Sequence, residues 1–301
     1  MNGTIFDLKR FALHDGGGIR STLFLKGCPL HCPWCQNPEG RDKSVRLHHF
    51  ASKCIECAVC EGVCPEGALT VDKKNHSFTI DTSRCNGCGV CIAECPARAL
   101  QFDGREISAR EAFRELIEDE LFFKTSGGGI TLSGGEPLFQ QEFSLEILRM
   151  CREQKLHTAV ESCLAVPRNI LFPFIDVTSR FIADIKIFDP KKHLEVTGAD
   201  NTHILSNIEY LVKEKAELLI RIPLIPGYTS SRENISAIGK YVSGLRKDIP
   251  VELVNFNPLA ENKYRLFGLA YDVSEGAEPY SPVQIREFRS ILHKAGVKKV
   301  V

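Results

Sequence analysis

Two hydrophobic rhythms divide the chain. From about residue 129 onward, short runs of β-branched and apolar residues alternate with longer stretches in which apolar positions recur every three or four residues. That alternation marks strands separated by amphipathic helices. It predicts strands at 129–134, 157–162, 180–188, 216–223 and 251–257, with helices near 140–154, 166–175, 203–214, 233–245 and 282–294. The segment RSTLFLKG (20–27) predicts a further strand running directly into Cys28, and Val297–Val301 a short additional one. Ser108 and Glu111 stand in capping-box spacing ahead of another helical pattern. Counting 20–27, six β/α units result, and such alternation implies a parallel sheet, here an open or partial barrel. Folds of this kind gather ligand chemistry at the C-terminal ends of their strands. Cys28, Glu136, Glu161, Asp184 with Lys186, Arg221 and Asn257 all fall at or just past predicted strand ends, describing one polar mouth.

The stretch from about 50 to 100 breaks this rhythm and is dominated by cysteine. Of 13 cysteines, eleven lie between Cys28 and Cys95, and only Cys151 and Cys163 lie beyond. The first residues lack the charged-then-apolar pattern of a secretory signal, so a reducing, cytoplasmic setting is expected. There, regularly spaced thiols bind metal rather than pair as disulfides. Cys54, Cys57, Cys60 and Cys64, then Cys85, Cys88, Cys91 and Cys95, each follow C-x2-C-x2-C-x3-C-P. Twice in succession, this is the bacterial ferredoxin spacing, in which the fourth cysteine of each run ligates the other cluster. One [4Fe–4S] cluster is therefore expected on Cys54, Cys57, Cys60 and Cys95, the other on Cys85, Cys88, Cys91 and Cys64. A pair of zinc sites is the weaker alternative, because zinc sites favour longer gaps between ligand pairs.

The first group is different: Cys28, Cys32 and Cys35 form C-x3-C-x2-C with no fourth cysteine nearby. Three thiolates on a cubane leave one iron open to a substrate or cofactor. For this segment alone, a zinc site completed by His31 or His14 remains an alternative.

Charge narrows the range of partners. Lys+Arg and Asp+Glu both number 38, which argues against nucleic acid or an anionic membrane surface as a partner. A hydrophobic content of 43% excludes disorder, and no run approaches the roughly 18 apolar residues of a membrane span.

With HDGGGIRSTLFLKGCPLHCPWCQNPEG at the start, SGGGITLSGGEPL at 126–138, DIK at 184–186, HLEVTG at 193–198, RIPLIPGY at 221–228 and NFNPLAENKY at 255–264, the chain resembles the radical S-adenosylmethionine (SAM) superfamily. More narrowly, it is similar to the activating enzymes of glycyl radical enzymes, relatives of pyruvate formate-lyase activase, in the subgroup with a double ferredoxin insert. The resemblance implies a partial (β/α)6 barrel over 1–49 and 101–301, with a ferredoxin-like α+β insert over 50–100. It implies three [4Fe–4S] clusters, with SAM bound to the open iron of the Cys28, Cys32 and Cys35 cluster. It carries SAM contacts onto Trp34, Cys35 and Gln36 beside the adenine, Gly134, Gly135 and Glu136 at the SAM amino group, and the Asp184, Ile185 and Lys186 segment. Asn257 aligns where pyruvate formate-lyase activase has a SAM-contacting histidine. Arg221 would support the SAM carboxylate or the mouth in general. No side chain acts as a catalytic acid or base; the chemistry is expected at the cluster and SAM.

The implied partners are a glycyl radical enzyme, offering its glycine loop, and a flavodoxin or ferredoxin as electron donor. Other readings are a radical SAM enzyme that modifies a small molecule or peptide, and an electron-transfer or redox-sensing iron–sulfur protein. Two further departures from the family pattern stand out: Gly17 where relatives usually show proline, and Glu161-Ser162-Cys163 with no glycine following. Cys163 itself reads as a small buried hydrophobe.

Overall fold

A computed structural model describes residues 1–274 and 276–301. The chain opens with β1 (Asn2–Ala12), antiparallel to β2 (Arg20–Leu25). It then leaves the main sheet for the cysteine-rich insert. There β3 (Leu47–His49) pairs with β6 (Leu100–Phe102), and β4 (Leu69–Asp72) pairs with β5 (Ser77–Ile80), both antiparallel. Single-turn helices at Val59–Gly62 and Val90–Ala93 lie within the cysteine runs and carry Cys60 and Cys91. The chain returns as β7 (Arg105–Ser108), which pairs with the start of β1.

The rest is a repeating strand and helix: β8 (Gly129–Gly134), β9 (Thr158–Ser162), β10 (Arg180–Asp184), β11 (Leu218–Leu224) and β12 (Val251–Asn255). In the eight-stranded sheet the order is β12-β11-β10-β9-β8-β2-β1-β7. The six strands from β2 to β12 are mutually parallel, giving the expected partial (β/α)6 barrel. Helices Gln141–Glu153, Thr202–Lys213, Arg232–Leu245 and Pro282–Lys294 match the predicted ones within a residue or two. Their starts are written in the sequence. Ser108 and Ser281 each close a capping box, with Glu111 and Gln284, and satisfy backbone N–H groups that a helix start leaves free. The apolar stripe of Gln141–Glu153, including the fully buried Cys151, packs into one core with Leu132, Val160 and Phe181.

Three elements differ from expectation. The strand expected over 180–188 ends at Asp184, and Asp189 then caps a helix, Pro190–Thr197, that periodicity missed. The helix expected over 166–175 is one α turn, Arg168–Leu171, followed by a 3-10 stretch to Val177, because Pro173 brings no N–H to an α ladder. The strand expected over Val297–Val301 is a single bridge from Val300 to Val251. The antiparallel strand β1 and the short edge strand β7, which pairs with only the first residues of β1, carry no clear sequence signal. Their mixed polar and apolar positions reflect a half-exposed edge, where alternation is weak. Among the described residues, no helix is long and apolar enough to cross a membrane.

The insert joins the barrel through a compact polar hinge. Arg46 and Asp103 exchange hydrogen bonds, with Arg46 N–H donating to Asp103 Oδ1 at 2.8 Å and Asp103 N–H to the Arg46 carbonyl at 3.0 Å. Asp103 also pairs with buried Lys26 at 3.1 Å and with His48 at 3.2 Å. Gly104 passes so close to β1 that a Cβ there would stand 2.5 Å from the Ile5 carbonyl oxygen.

Candidate functional site

The strand ends open onto a cavity of about 720 Å³, within the range of small-molecule sites. After β2 come Cys28, Cys32, Trp34, Cys35 and Gln36; at the end of β8, Gly134 and Gly135; at the end of β9, Glu161 and Cys163; at the end of β10, Asp184 and Lys186; within β11, Arg221; after β12, Asn257. Residues more than 200 positions apart thus share one wall, as the strand-end rule requires.

Local backbone explains how the cysteine loop is held. A Cβ on Gly135 would stand 2.4 Å from the carbonyl oxygens of both Gly27 and Gly40, and Gly134 adopts φ +112°. Only paired glycines let β8 come this close to the Cys28 loop. Arg41 Nη2 donates to the Cys32 carbonyl and to the Tyr264 hydroxyl, and Lys263 pairs with Glu39 at 2.6 Å. Arg41, Glu39, Lys263 and Tyr264 escaped the sequence reading, because residues about 220 positions apart give no periodic signal.

The polar walls are ordered by ion pairs. Lys186 Nζ donates to Asp184 Oδ2 at 2.6 Å. Burial works against the charged Lys186, yet Asp184 and the nearby thiols hold its pKa above the ordinary lysine value. Arg221 bridges Glu161 at 2.6 Å and Glu252 at 2.5 Å. Burial opposes its charge too, and the two carboxylates outweigh that and keep it firmly protonated. Glu161, by contrast, is raised by burial despite Arg221. Burial pushes the Cys32 thiol up to about 12. A thiolate there needs a positive centre beside it, which a bound iron–sulfur cluster supplies.

Two expected contacts fall outside this cavity. Glu136 is fully buried behind the wall: its carboxylate accepts from Ser162 Oγ at 2.8 Å, Cys163 N–H at 2.8 Å, Leu138 N–H at 3.1 Å and the Cys163 thiol at 2.9 Å. With its acceptor positions used, it braces β8 against β9 and does not face a ligand. Ile185 sits in the apolar core, because successive strand residues point to opposite faces. Asn257 does line the cavity, but its side-chain oxygen accepts from Leu259 N–H at 3.0 Å, and Gln36 donates to its carbonyl at 3.0 Å. Trp34 is buried against Tyr228, with ring centroids 5.2 Å apart.

The family departures also resolve structurally. Gly17 has φ +88°, which proline cannot adopt. Leu164 takes φ +56°, so the turn after β9 keeps a left-handed residue without glycine, a strain of roughly 1–3 kcal/mol offset by full burial of the leucine. Cys163 is buried as expected but belongs to the cavity wall, its thiol donating to Glu136 at 2.9 Å. His14 lines the cavity as well, whereas His31 is exposed and outside it.

In the insert, Cys54, Cys57, Cys60 and Cys95 ring one small cavity, with His49, Phe78 and Leu100 among its walls. Cys64, Cys85, Cys88 and Cys91 ring a second, with Leu47 and Phe102. Each set surrounds a space rather than a point. Among the described residues, no three His, Cys, Asp or Glu side chains close on a single-ion site.

Comparison with known proteins agrees with this geometry. Residues 80–236 match the radical SAM superfamily, and residues 53–99 match a 4Fe-4S dicluster domain. The benzylsuccinate synthase activating enzyme of Thauera aromatica is 38% identical over 93% of this chain and 84% of its own length. The (2S)-3-sulfopropanediol sulfolyase activating enzyme of Bilophila wadsworthia is 38% identical over 90% of each. Among solved structures, Streptococcus suis SuiB bound to S-adenosylmethionine shares the fold with a TM-score of 0.51 at 12% identity, covering 65% of this chain and 43% of that one. The chain belongs to the radical SAM superfamily and, within it, to the activating enzymes of glycyl radical enzymes. Its activity is reductive cleavage of SAM to a 5′-deoxyadenosyl radical, which takes a hydrogen atom from a glycine of the partner enzyme.

Proposed function

We propose that Cys28, Cys32 and Cys35 hold the cluster that binds SAM, and that the two insert cavities hold two more [4Fe–4S] clusters relaying electrons from a flavodoxin or ferredoxin. The observation that carries the reading is the shared cavity: three thiols, an ion-paired lysine and two glycines line one space with room for a cofactor-sized ligand. Cys163 is the one further thiol in that wall, and its hydrogen bond to buried Glu136 ties it back, leaving three cysteines to bind the cluster. When bound, the open cluster supplies one low-potential electron to the SAM sulfonium.

The chain's own part is orientation and exclusion. Asp184 and Lys186 hold the polar end of SAM, with the Lys186 ammonium suited to its carboxylate and Asp184 to its amino group. Gly134 and Gly135 let the backbone approach, and Trp34 and Gln36 flank the adenine. The buried Glu136, Ser162 and Cys163 network holds the wall behind the site rigid, which would restrict how SAM seats and keep other hydrogen donors out.

Two of the relatives activate benzylsuccinate synthase and a sulfolyase, and the partner expected for this chain is likewise a glycyl radical enzyme whose glycine loop reaches the cavity mouth. The test is anaerobic. Dithionite-reduced protein with SAM should yield 5′-deoxyadenosine and methionine, and adding the cognate partner should produce a glycyl radical visible by EPR. Absence of 5′-deoxyadenosine from protein carrying its full iron content would sink the reading.

A further inference from the structure

The two insert cavities are not equivalent with respect to the barrel, and the register of the two ribbons orders them. On the β3–β6 ribbon, Leu47 pairs with Phe102, and His49 with Leu100. Leu47 and Phe102 border the cavity of Cys64, Cys85, Cys88 and Cys91, whereas His49 and Leu100 border that of Cys54, Cys57, Cys60 and Cys95. The β4–β5 ribbon separates the two cavities by the same two-residue step. Leu69, near its start, borders the first cavity, and Val71 with Phe78 borders the second. Two residues of strand separate the levels, roughly 7 Å.

The chain enters and leaves the barrel at the Leu47 and Phe102 end. There Asp103 pairs with Lys26, Gly104 packs directly on Ile5 and Lys26, and His48 meets Phe267 edge-on at 4.5 Å. Lys26 lies two residues before Cys28. A short connection therefore runs from Phe102 through Asp103, across its ion pair to Lys26, and along Gly27 to the first ligand of the SAM-binding cluster. Among the described residues, no comparable connection starts from His49 and Leu100. The other cavity lies further along the ribbon from the barrel; Cys57 and Cys88 are both exposed, and what sets this cavity apart at the surface is the exposed apolar side chain of Ile55 on its rim.

We infer that the site of Cys64, Cys85, Cys88 and Cys91 faces the barrel and hands electrons to it through Phe102, Asp103 and Lys26, and that the site of Cys54, Cys57, Cys60 and Cys95 is the outer one that takes electrons from the donor protein. The inference rests on the relay reading above. One electron from a low-potential carrier protein passes from site to site, each oxidised as the next is reduced, with no bond or proton changing hands. Tunnelling falls steeply with distance, so the order of sites sets the route.

The test compares Cys57→Ala with Cys88→Ala, each reconstituted anaerobically to about eight iron atoms per chain. The readout is the microwave power that half-saturates the EPR signal of the reduced, SAM-bound barrel cluster, because a nearby paramagnetic cluster speeds its relaxation. Loss of the inner site in Cys88→Ala should lower that power several-fold, while Cys57→Ala should leave it near the parent value. The reverse pattern, or equal changes in both, would overturn the order. If either variant fails to take up its remaining clusters, Cys85→Ala and Cys54→Ala address the same two sites. A separate outcome isolates the relay reading: should the saturation difference appear while flavodoxin reduces the barrel cluster equally fast in both variants, the order stands and the relay falls.

Discussion

The same ligand, cysteine thiol, is set in two contrasting surroundings within one chain. In the barrel, three thiols share a roomy wall with Lys186, Asp184, Glu161 and Arg221. In the insert, each set of four is enclosed almost wholly by apolar side chains and backbone, with His49 bordering one cavity and Glu66 and Asn86 the other. A complete thiol set in a tight apolar shell suits a cluster that only changes charge. An incomplete set beside fixed ions suits one that must also hold a second molecule.

The contrast can be attacked most directly by removing one ligand from each region. Cys32→Ala should abolish 5′-deoxyadenosine formation and lower iron by about four atoms per chain, while Cys88→Ala should lose the same iron and keep SAM affinity within about twofold. If SAM affinity collapsed in Cys88→Ala, the division of labour would fail. Next in size is Lys186→Met, which strands Asp184 without its partner. SAM affinity by calorimetry should fall about 10- to 100-fold, the equivalent of losing one charged hydrogen bond, while iron content stays at the parent value.

Smaller effects come from the wall behind the site. Glu136→Gln turns one acceptor oxygen toward Cys163 N–H into an amide donor, which should cost about 1–3 kcal/mol and lower Tm by several degrees with all clusters retained. An unchanged Tm would show that the network does not brace β8 against β9. The mildest effect is on pH. Burial lowers the pKa of His157 and His193, so the folded chain keeps them neutral where the unfolded chain binds protons. Stability should therefore decline as pH falls below about 6.5, by at most about 1.4 kcal/mol per pH unit for each histidine. His157→Gln should flatten that slope in thermal melts at pH 7.5 and 5.5.

Much of this was legible in the sequence, and the limits have physical causes. The six parallel strands announced themselves because both faces are covered, so their residues read as apolar runs. The cysteine sets were legible because ligand spacing is a local constraint. Glu136 misled because a carboxylate after two glycines looks exposed in one dimension, and only β9, folded alongside, shows where its acceptors are used. Ile185 misled because a contiguous motif invites all three residues into the site, whereas the pleat sends alternate ones away. Arg41 and Tyr264 were invisible because their contact is purely tertiary.

The hinge of the insert has a consequence for modularity. Arg46 and Asp103 are hydrogen-bonded neighbours, so the 56 residues from Leu47 to Phe102 leave and re-enter the barrel at almost the same place. Topologically the whole ferredoxin-like unit is one long loop on the barrel, and a tight two-residue turn could replace it without moving a barrel strand. On the relay proposed above, a shortened chain of that kind would keep the SAM-cleaving site and depend on whatever reductant reaches the barrel directly.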